Sequence, residues 1–235
     1  MTPTILILDR AGSEPMAADF AKGGVCGTDP FSAAREIGWQ NADVSAGRVV
    51  WSGDVEIESF PHTEMLVVLS GRVTLNGPDG TLTLGANQGA VITEGARLTI
   101  AAEAGSRWTY CATTHRGSKP AGVTELSANA ELTPSAPPPS AMLTSAEPSC
   151  RAFRAYEDDT NGFSAGLWDS TPYSRKGRPQ PHHELMHVLE GSVTFVLQDG
   201  TSVEAKAGDT VFVSKDSHGS WDSREKVAKF YGCQG

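Results

Sequence analysis

The chain writes one phrase twice. Pro61 to Gly71 reads PHTEMLVVLSG, and Pro181 to Gly191 reads PHHELMHVLEG. An offset of 120 positions aligns residues 61–80 with 181–200 without a gap. Ten of those twenty positions are identical, among them Pro61/Pro181, His62/His182, Glu64/Glu184, Gly71/Gly191 and Asp79/Asp199. Shorter echoes flank the phrase. Ser45–Gly47 and Ser164–Gly166 both read SAG, and each is followed by a tryptophan, Trp51 or Trp168. GSRW ending at Trp108 answers GSW ending at Trp221. A period of about half the chain means a duplicated domain, because solenoid repeats run at roughly 20 to 50 residues.

Between the copies lies ELTPSAPPPSAMLTSAEPS, Glu131 to Ser149, with neither helical nor strand periodicity. Proline-rich segments of this kind form extended, semi-rigid spacers. The expected organisation is therefore an N-terminal domain over residues 1–122, a linker over 123–149 and a C-terminal domain over 150–235. Within each copy the pattern is one of short strands. RVTLNGPDGTLTL (Arg72–Leu84) and SVTFVLQDGTSVEA (Ser192–Ala205) both read as β-hairpins with Asp-Gly at the turn. GDTVFVS (Gly208–Ser214) reads as a further strand. No stretch shows an amphipathic helix of three or more turns with caps. Evenly spaced short strands predict an all-β sandwich or barrel in each copy.

Bulk properties exclude several classes. The 235 residues are enough for two domains, and 39% hydrophobic with 20% charged residues permits a packed core. A formal net charge of −9 without a Lys/Arg cluster argues against a nucleic-acid partner. The apolar run Ile5–Leu8 is too short for a membrane span and lacks the flanks of a signal peptide. Cys26, Cys111, Cys150 and Cys233 lie far apart without a CxxC pair, so zinc-ribbon and thioredoxin-like readings lack support. Free thiols in a reducing cytosol are the simplest account, and a cytoplasmic protein is expected.

The glutamate, then six intervening residues and a glycine, entering a hairpin, resembles the first motif of the cupin superfamily, and GDTVFVSKDSHGSW stands where the second would be. From SAGLWDS through LEGSVTFVLQDG to WDSREKVAKFYG the chain is most similar to the (S)-ureidoglycine aminohydrolase-type cupin domain, a relative of the ethanolamine-utilisation cupins. The resemblance implies two tandem RmlC-like jelly-roll (cupin) β-barrels with a small-molecule pocket in each, sometimes a divalent metal there, and a homodimer formed through barrel edges or outer sheet faces. Metal-binding cupins usually carry two histidines one residue apart, three or four residues before the glutamate. Counting back from Glu184 gives Gln180 and Arg178, or Pro179 and Gly177. The family's metal set is thus incomplete here.

Strand alternation supplies the next inference. One face of the second phrase carries Gln180, His182, Glu184 and Met186; the other carries His183, Leu185, His187 and Leu189. In cupins the motif glutamate points into the barrel, so the first set should face the cavity. The matching set in copy one is Phe60, His62, Glu64 and Leu66. His62 and Glu64 are expected to form a hydrogen-bonded inner pair in a degenerate N-terminal site. In the second copy His182, Glu184 and His218 form the candidate metal set, since two imidazoles and a carboxylate can hold Mn, Fe, Ni or Zn. Gln180 and Met186 would line the substrate space, and Tyr173 and Arg175 could meet a carboxylate, arginine being suited to bidentate recognition. His183 and His187 are expected at a domain or subunit interface.

Two functional readings stay open at this stage. One is a metal-dependent enzyme, ureidoglycine aminohydrolase-like, acting on a small polar metabolite in the C-terminal barrel. The alternative is a non-catalytic ligand-binding or accessory cupin without metal. The partner in both is a small-molecule ligand, with no nucleic acid and no membrane.

Overall fold

The computed structural model describes residues 4–12 and 19–235. Apart from one 3-10 turn at Ser140–Met142, every regular element among them is a β-strand, and all the pairings are antiparallel. Each copy builds one seven-stranded and one four-stranded sheet, giving two jelly-roll barrels.

The sheets correspond strand for strand. In the first barrel the large sheet runs Val123–Leu126, Gly89–Ile92, Thr63–Ser70, Arg107–Thr113, Val44–Val50, Arg35–Gln40 and Ala21–Lys22. In the second it runs Ile5–Asp9, Thr210–Val213, His183–Glu190, Val227–Gln234, Phe163–Ser170, Cys150–Asp158 and Thr133–Ser135. The two predicted hairpins are Val73–Gly77 with Gly80–Leu84 and Ser192–Val196 with Ser202–Lys206, and they form the edges of the small sheets.

The repeated glycines have steric causes. Gly71 and Gly191 end the motif strands with φ of +73° and +76°, in the left-handed region that glycine enters without penalty. A Cβ on Gly191 would also collide with the Lys226 carbonyl. Gly47 and Gly166, the glycines of the two SAG phrases, face bulges in the neighbouring strand between Ile37 and Trp39 and between Arg154 and Tyr156. There a Cβ would strike the carbonyl oxygens of Glu36 and Phe153.

Three apolar clusters follow from this layout. One fills the first barrel, with Phe60, Leu66, Leu98, Ile100, Trp108 and Tyr110 at its centre. A second lies between the two large sheets, where Trp39, Met65, Val67 and Cys111 pack against Phe163, Leu185, Phe212 and Phe230. The third lines the second barrel. His183 and His187 sit on the face between the barrels. The His183 ring packs 4.6 Å from Trp39, and His187 joins the halves through Nε2 to Asn87 Oδ1 at 2.9 Å.

The segment between the copies is built into both barrels. Val123–Leu126 is an edge strand of the first large sheet, Thr133–Ser135 pairs with Cys150–Asp158, and Pro137–Pro139 line the second barrel's cavity. The strand Ile5–Asp9 also departs from the division at residue 122. It pairs with Thr210–Val213, where it occupies the place that Val123–Leu126 holds in the first barrel. Ile5 and Ile7 thus belong to the apolar lining of the C-terminal barrel.

Candidate functional site

The second barrel encloses a cavity of about 610 Å³. Gln180, His182, Glu184 and Met186 all line it, as their alternation requires. Tyr173 and Arg175 reach it from the small sheet, together with Arg178. The neighbouring strand of the same sheet, Val227–Gln234, adds its alternate residues Lys229, Tyr231 and Cys233, which face inward beside the motif strand.

Glu184 is the centre of the polar cluster. Lys229 Nζ lies 2.7 Å from its Oε1, and Gln180 Nε2 donates to its Oε2 at 2.9 Å. His182 Nε2 lies 3.8 Å from Oε2. Burial alone would raise the Glu184 pKa, but the Lys229 charge and His182 outweigh it and hold the carboxyl well below the usual carboxylate range. Glu184 is thus an anion at neutral pH. Lys229 is 9% exposed at its side chain and rests between two indoles, 4.9 Å from the Trp168 ring centre and 5.4 Å from that of Trp221. Aromatic faces stabilise an ammonium in this position. Tyr173 stacks on Trp221 at 5.6 Å, so the repeated tryptophans here serve the cavity as well as the core.

The other charged residues of the lining are arginines. Arg175 donates to the carbonyls of Gly219 and Lys176, which are neutral acceptors and leave its charge uncompensated. Arg154 pairs with Glu157 and meets the Tyr231 hydroxyl. Arg178 faces the cavity without an ion-pair or hydrogen-bond partner among the described residues.

His218 does not join the group. It begins the strand His218–Ser223, in which Gly219 and Trp221 line the cavity and the intervening residues face away, so its imidazole lies outside the barrel. Cys233 stands in its place: His182, Glu184 and Cys233 offer three metal-capable atoms within 4.8 Å of one another. Both Glu184 oxygens are already engaged, however, one by a resident ammonium, and burial pushes the Cys233 thiol well up. With Lys229 in place the donor set does not fit a divalent ion.

The first barrel closes the matching space. Glu64 bonds His62 at 2.9 Å, as the repeated phrase predicts, and Arg35 Nη2 lies 2.7 Å from Glu64 Oε2. Arg35 is fully buried, pairs with Asp29 through Nε at 2.5 Å and lies 4.1 Å over the Tyr110 ring. Leu98, Ile100 and Trp108 occupy the volume that remains. The register of the paired strands gives these three the positions that Gly219, Trp221 and Lys229 hold in the second barrel.

This geometry has relatives. A protein of unknown function from Pseudomonas syringae pv. tomato, assigned to the DUF861 family, is 38% identical, with a TM-score of 0.95 over 99% of this chain and 100% of the other. The chain belongs to the DUF861 family. Its cupin character is shown by a match of residues 157–231 to the EutQ-like cupin domain, the half of this DUF861 protein that holds the cavity. Two more distant structures share the fold. A cupin 2 conserved barrel domain protein from Leptotrichia buccalis is 11% identical, with a TM-score of 0.60 over 86% of this chain and 88% of the other. The E. coli protein Ylba, also of DUF861, is 13% identical, with a TM-score of 0.54 over 98% of this chain and 90% of the other. No curated protein matches this DUF861 chain. Among the described residues no helix is long and apolar enough to cross a membrane.

Proposed function

We propose that the C-terminal barrel binds a small, polar, carboxylate-bearing metabolite, and that the first barrel is a packed scaffold. The observation that carries this reading is the charge of the cavity. Arg154, Arg175, Arg178 and Lys229 face a single carboxylate, Glu184, in a chain whose formal net charge is −9. Concentrating cations in a concave site against the overall charge attracts an anion there. Arg178, without an ion-pair or hydrogen-bond partner among the described residues, is the natural seat for the ligand's carboxylate. The volume suits a small metabolite, since such sites span roughly 300–1,000 Å³. Beside the seat, Glu184 offers hydrogen-bond acceptors and Lys229 and His182 offer donors, groups that can orient a polar ligand. The resemblance to ureidoglycine aminohydrolase-type cupins supports acids that also carry amide or ureido nitrogen, which Glu184 and Gln180 can bond.

The test is titration calorimetry with small acids, with and without amide nitrogen, beside matched neutral amides. Acids bind and the neutral amides do not. Arg178→Ala weakens binding about 10- to 100-fold, the worth of one charge-assisted hydrogen bond. Equal binding of acid and neutral amide would sink the proposal.

A metal-dependent reading rests on the His182, Glu184 and Cys233 group and requires Lys229 to leave Glu184. Elemental analysis of protein purified without chelator, beside His182→Ala, separates the two. One equivalent of Mn, Fe, Ni or Zn that is lost in the variant would favour the metal.

A further inference from the structure

The first barrel holds a cluster that the C-terminal site does not use. Cys26, partly exposed on the loop before Arg35–Gln40, sets its thiol against the His62 ring. His62 Nε2 is taken by Glu64 at 2.9 Å, and Glu64 is held in turn by Arg35. The other ring nitrogen, Nδ1, has no hydrogen-bond partner among the described residues, and the residue is only 1% exposed. An orphaned imidazole nitrogen beside a thiol, with a carboxylate fixing the far side of the ring, is the arrangement that activates a cysteine nucleophile. Such pairs are often loose at rest and tighten when a reagent arrives.

We propose that Cys26 is a thiol-modification site, at which His62 draws off the thiol proton and the sulfur takes an oxygen atom from a peroxide. The thiolate attacks one oxygen of hydrogen peroxide and the O–O bond breaks. Sulfur is oxidised by two electrons to the sulfenic acid, and the departing hydroxide takes the proton from His62 and leaves as water. The peroxide is the only co-reactant.

The surroundings agree. The proximity of His62, against the opposing effect of burial and with help from Thr28, lowers the Cys26 pKa to about 7. The Thr28 hydroxyl lies 3.7 Å from Sγ. His62 is raised despite burial, through Cys26 and Glu64, while Arg35 opposes it. The other cysteines provide internal comparisons. Cys111 and Cys150 are buried, and burial pushes Cys111, Cys150 and Cys233 upward.

The experiment treats reduced full-length protein with limiting hydrogen peroxide and dimedone at pH 6.5, and follows each cysteine by peptide mass spectrometry. Dimedone labels Cys26 first. Its rate exceeds that of free cysteine by about fivefold, from a larger thiolate fraction offset by weaker nucleophilicity. His62→Gln brings that rate down to or below that of the free amino acid. Earlier labelling of Cys233, a wild-type Cys26 no faster than free cysteine, or an unchanged rate in folded His62→Gln would each overturn the proposal. The wild-type comparison stands even if the variant does not fold.

Discussion

Lys229 holds Glu184 at 2.7 Å on the inner wall of the second barrel. The matching glutamate of the first barrel, Glu64, also has its cation at 2.7 Å, but the cation is Arg35 and comes from a different strand. The repeat kept the buried carboxylate and solved its neutralisation twice. In one barrel the cation arrived with aromatic filling, in the other it left a cavity.

Replacing Lys229 by methionine should expose the consequence of the second solution. The change strands a carboxylate that is 13% exposed at its side chain, and we expect a loss of roughly 2–4 kcal/mol, since breaking a buried pair costs somewhat more than this when no water reaches it. Removing the ammonium also frees Glu184 beside His182 and Cys233. Lys229→Met should therefore bind Zn or Ni more tightly than the wild type does. Thermal unfolding with and without each ion measures both effects. A wild type stabilised equally by the ions would refute the competition between ammonium and metal.

Arg35→Met leaves Asp29 and Glu64 buried without their shared cation. The expected loss is about 3–5 kcal/mol in urea unfolding, because an uncompensated buried charge remains. Acid affinity in the second barrel should stay as it is in the surviving folded fraction. A parallel loss of that affinity would show that the barrels share one site.

His187 makes the junction between barrels sensitive to acid. Burial lowers its pKa to about 4, so the neutral ring accepts from Thr210 at Nδ1 and donates to Asn87 at Nε2, both at 2.9 Å. Between the folded value and the ordinary histidine value of about 6.5, the unfolded chain binds the proton and the folded chain does not. Stability from this group is complete above pH 6.5 and falls as pH drops towards 4, by up to about 3 kcal/mol. Urea unfolding at pH 7 and pH 5, compared with His187→Gln, isolates it. The variant should show a shallower fall.

Gly166→Ala tests the repeated SAG phrase. The added methyl would meet the Phe153 carbonyl, and backbone cannot yield as a side chain tip does. A loss of about 2–3 kcal/mol is expected, at the upper range of overpacking. Circular dichroism melts of this variant beside Gly177→Ala, where a Cβ finds its nearest neighbour at 3.5 Å, separate the clash from general strand effects.

Much of the fold and part of the site could be read from the residues. The duplicated phrase gave two barrels, and alternation placed Gln180, His182, Glu184 and Met186 on the cavity face. Lys229 escaped because its strand partner position in the first barrel is Trp108, so comparison of the copies shows no shared chemistry there. Arg35 escaped for the same reason, with Ala152 opposite in the second copy. His218 misled because it falls one position short of Gly219, and regular alternation along its strand turns Gly219 and Trp221 inward and His218 away. Charge partners inside a barrel come from strands distant in sequence, and single-sequence patterns carry little trace of them.

The strand Ile5–Asp9 ties the assembly of the molecule to the order of its synthesis. A ribosome releases these residues some 200 residues ahead of their partners, Thr210–Val213, which at typical elongation rates is a delay of about 10–40 s. During that interval the first barrel has everything it needs to close, while Ile5 and Ile7 must wait exposed or find temporary cover. Severing the chain at the proline-rich segment would leave the second barrel without one wall of its pocket. Its ligand site is therefore finished by a strand synthesised well before the rest of that barrel.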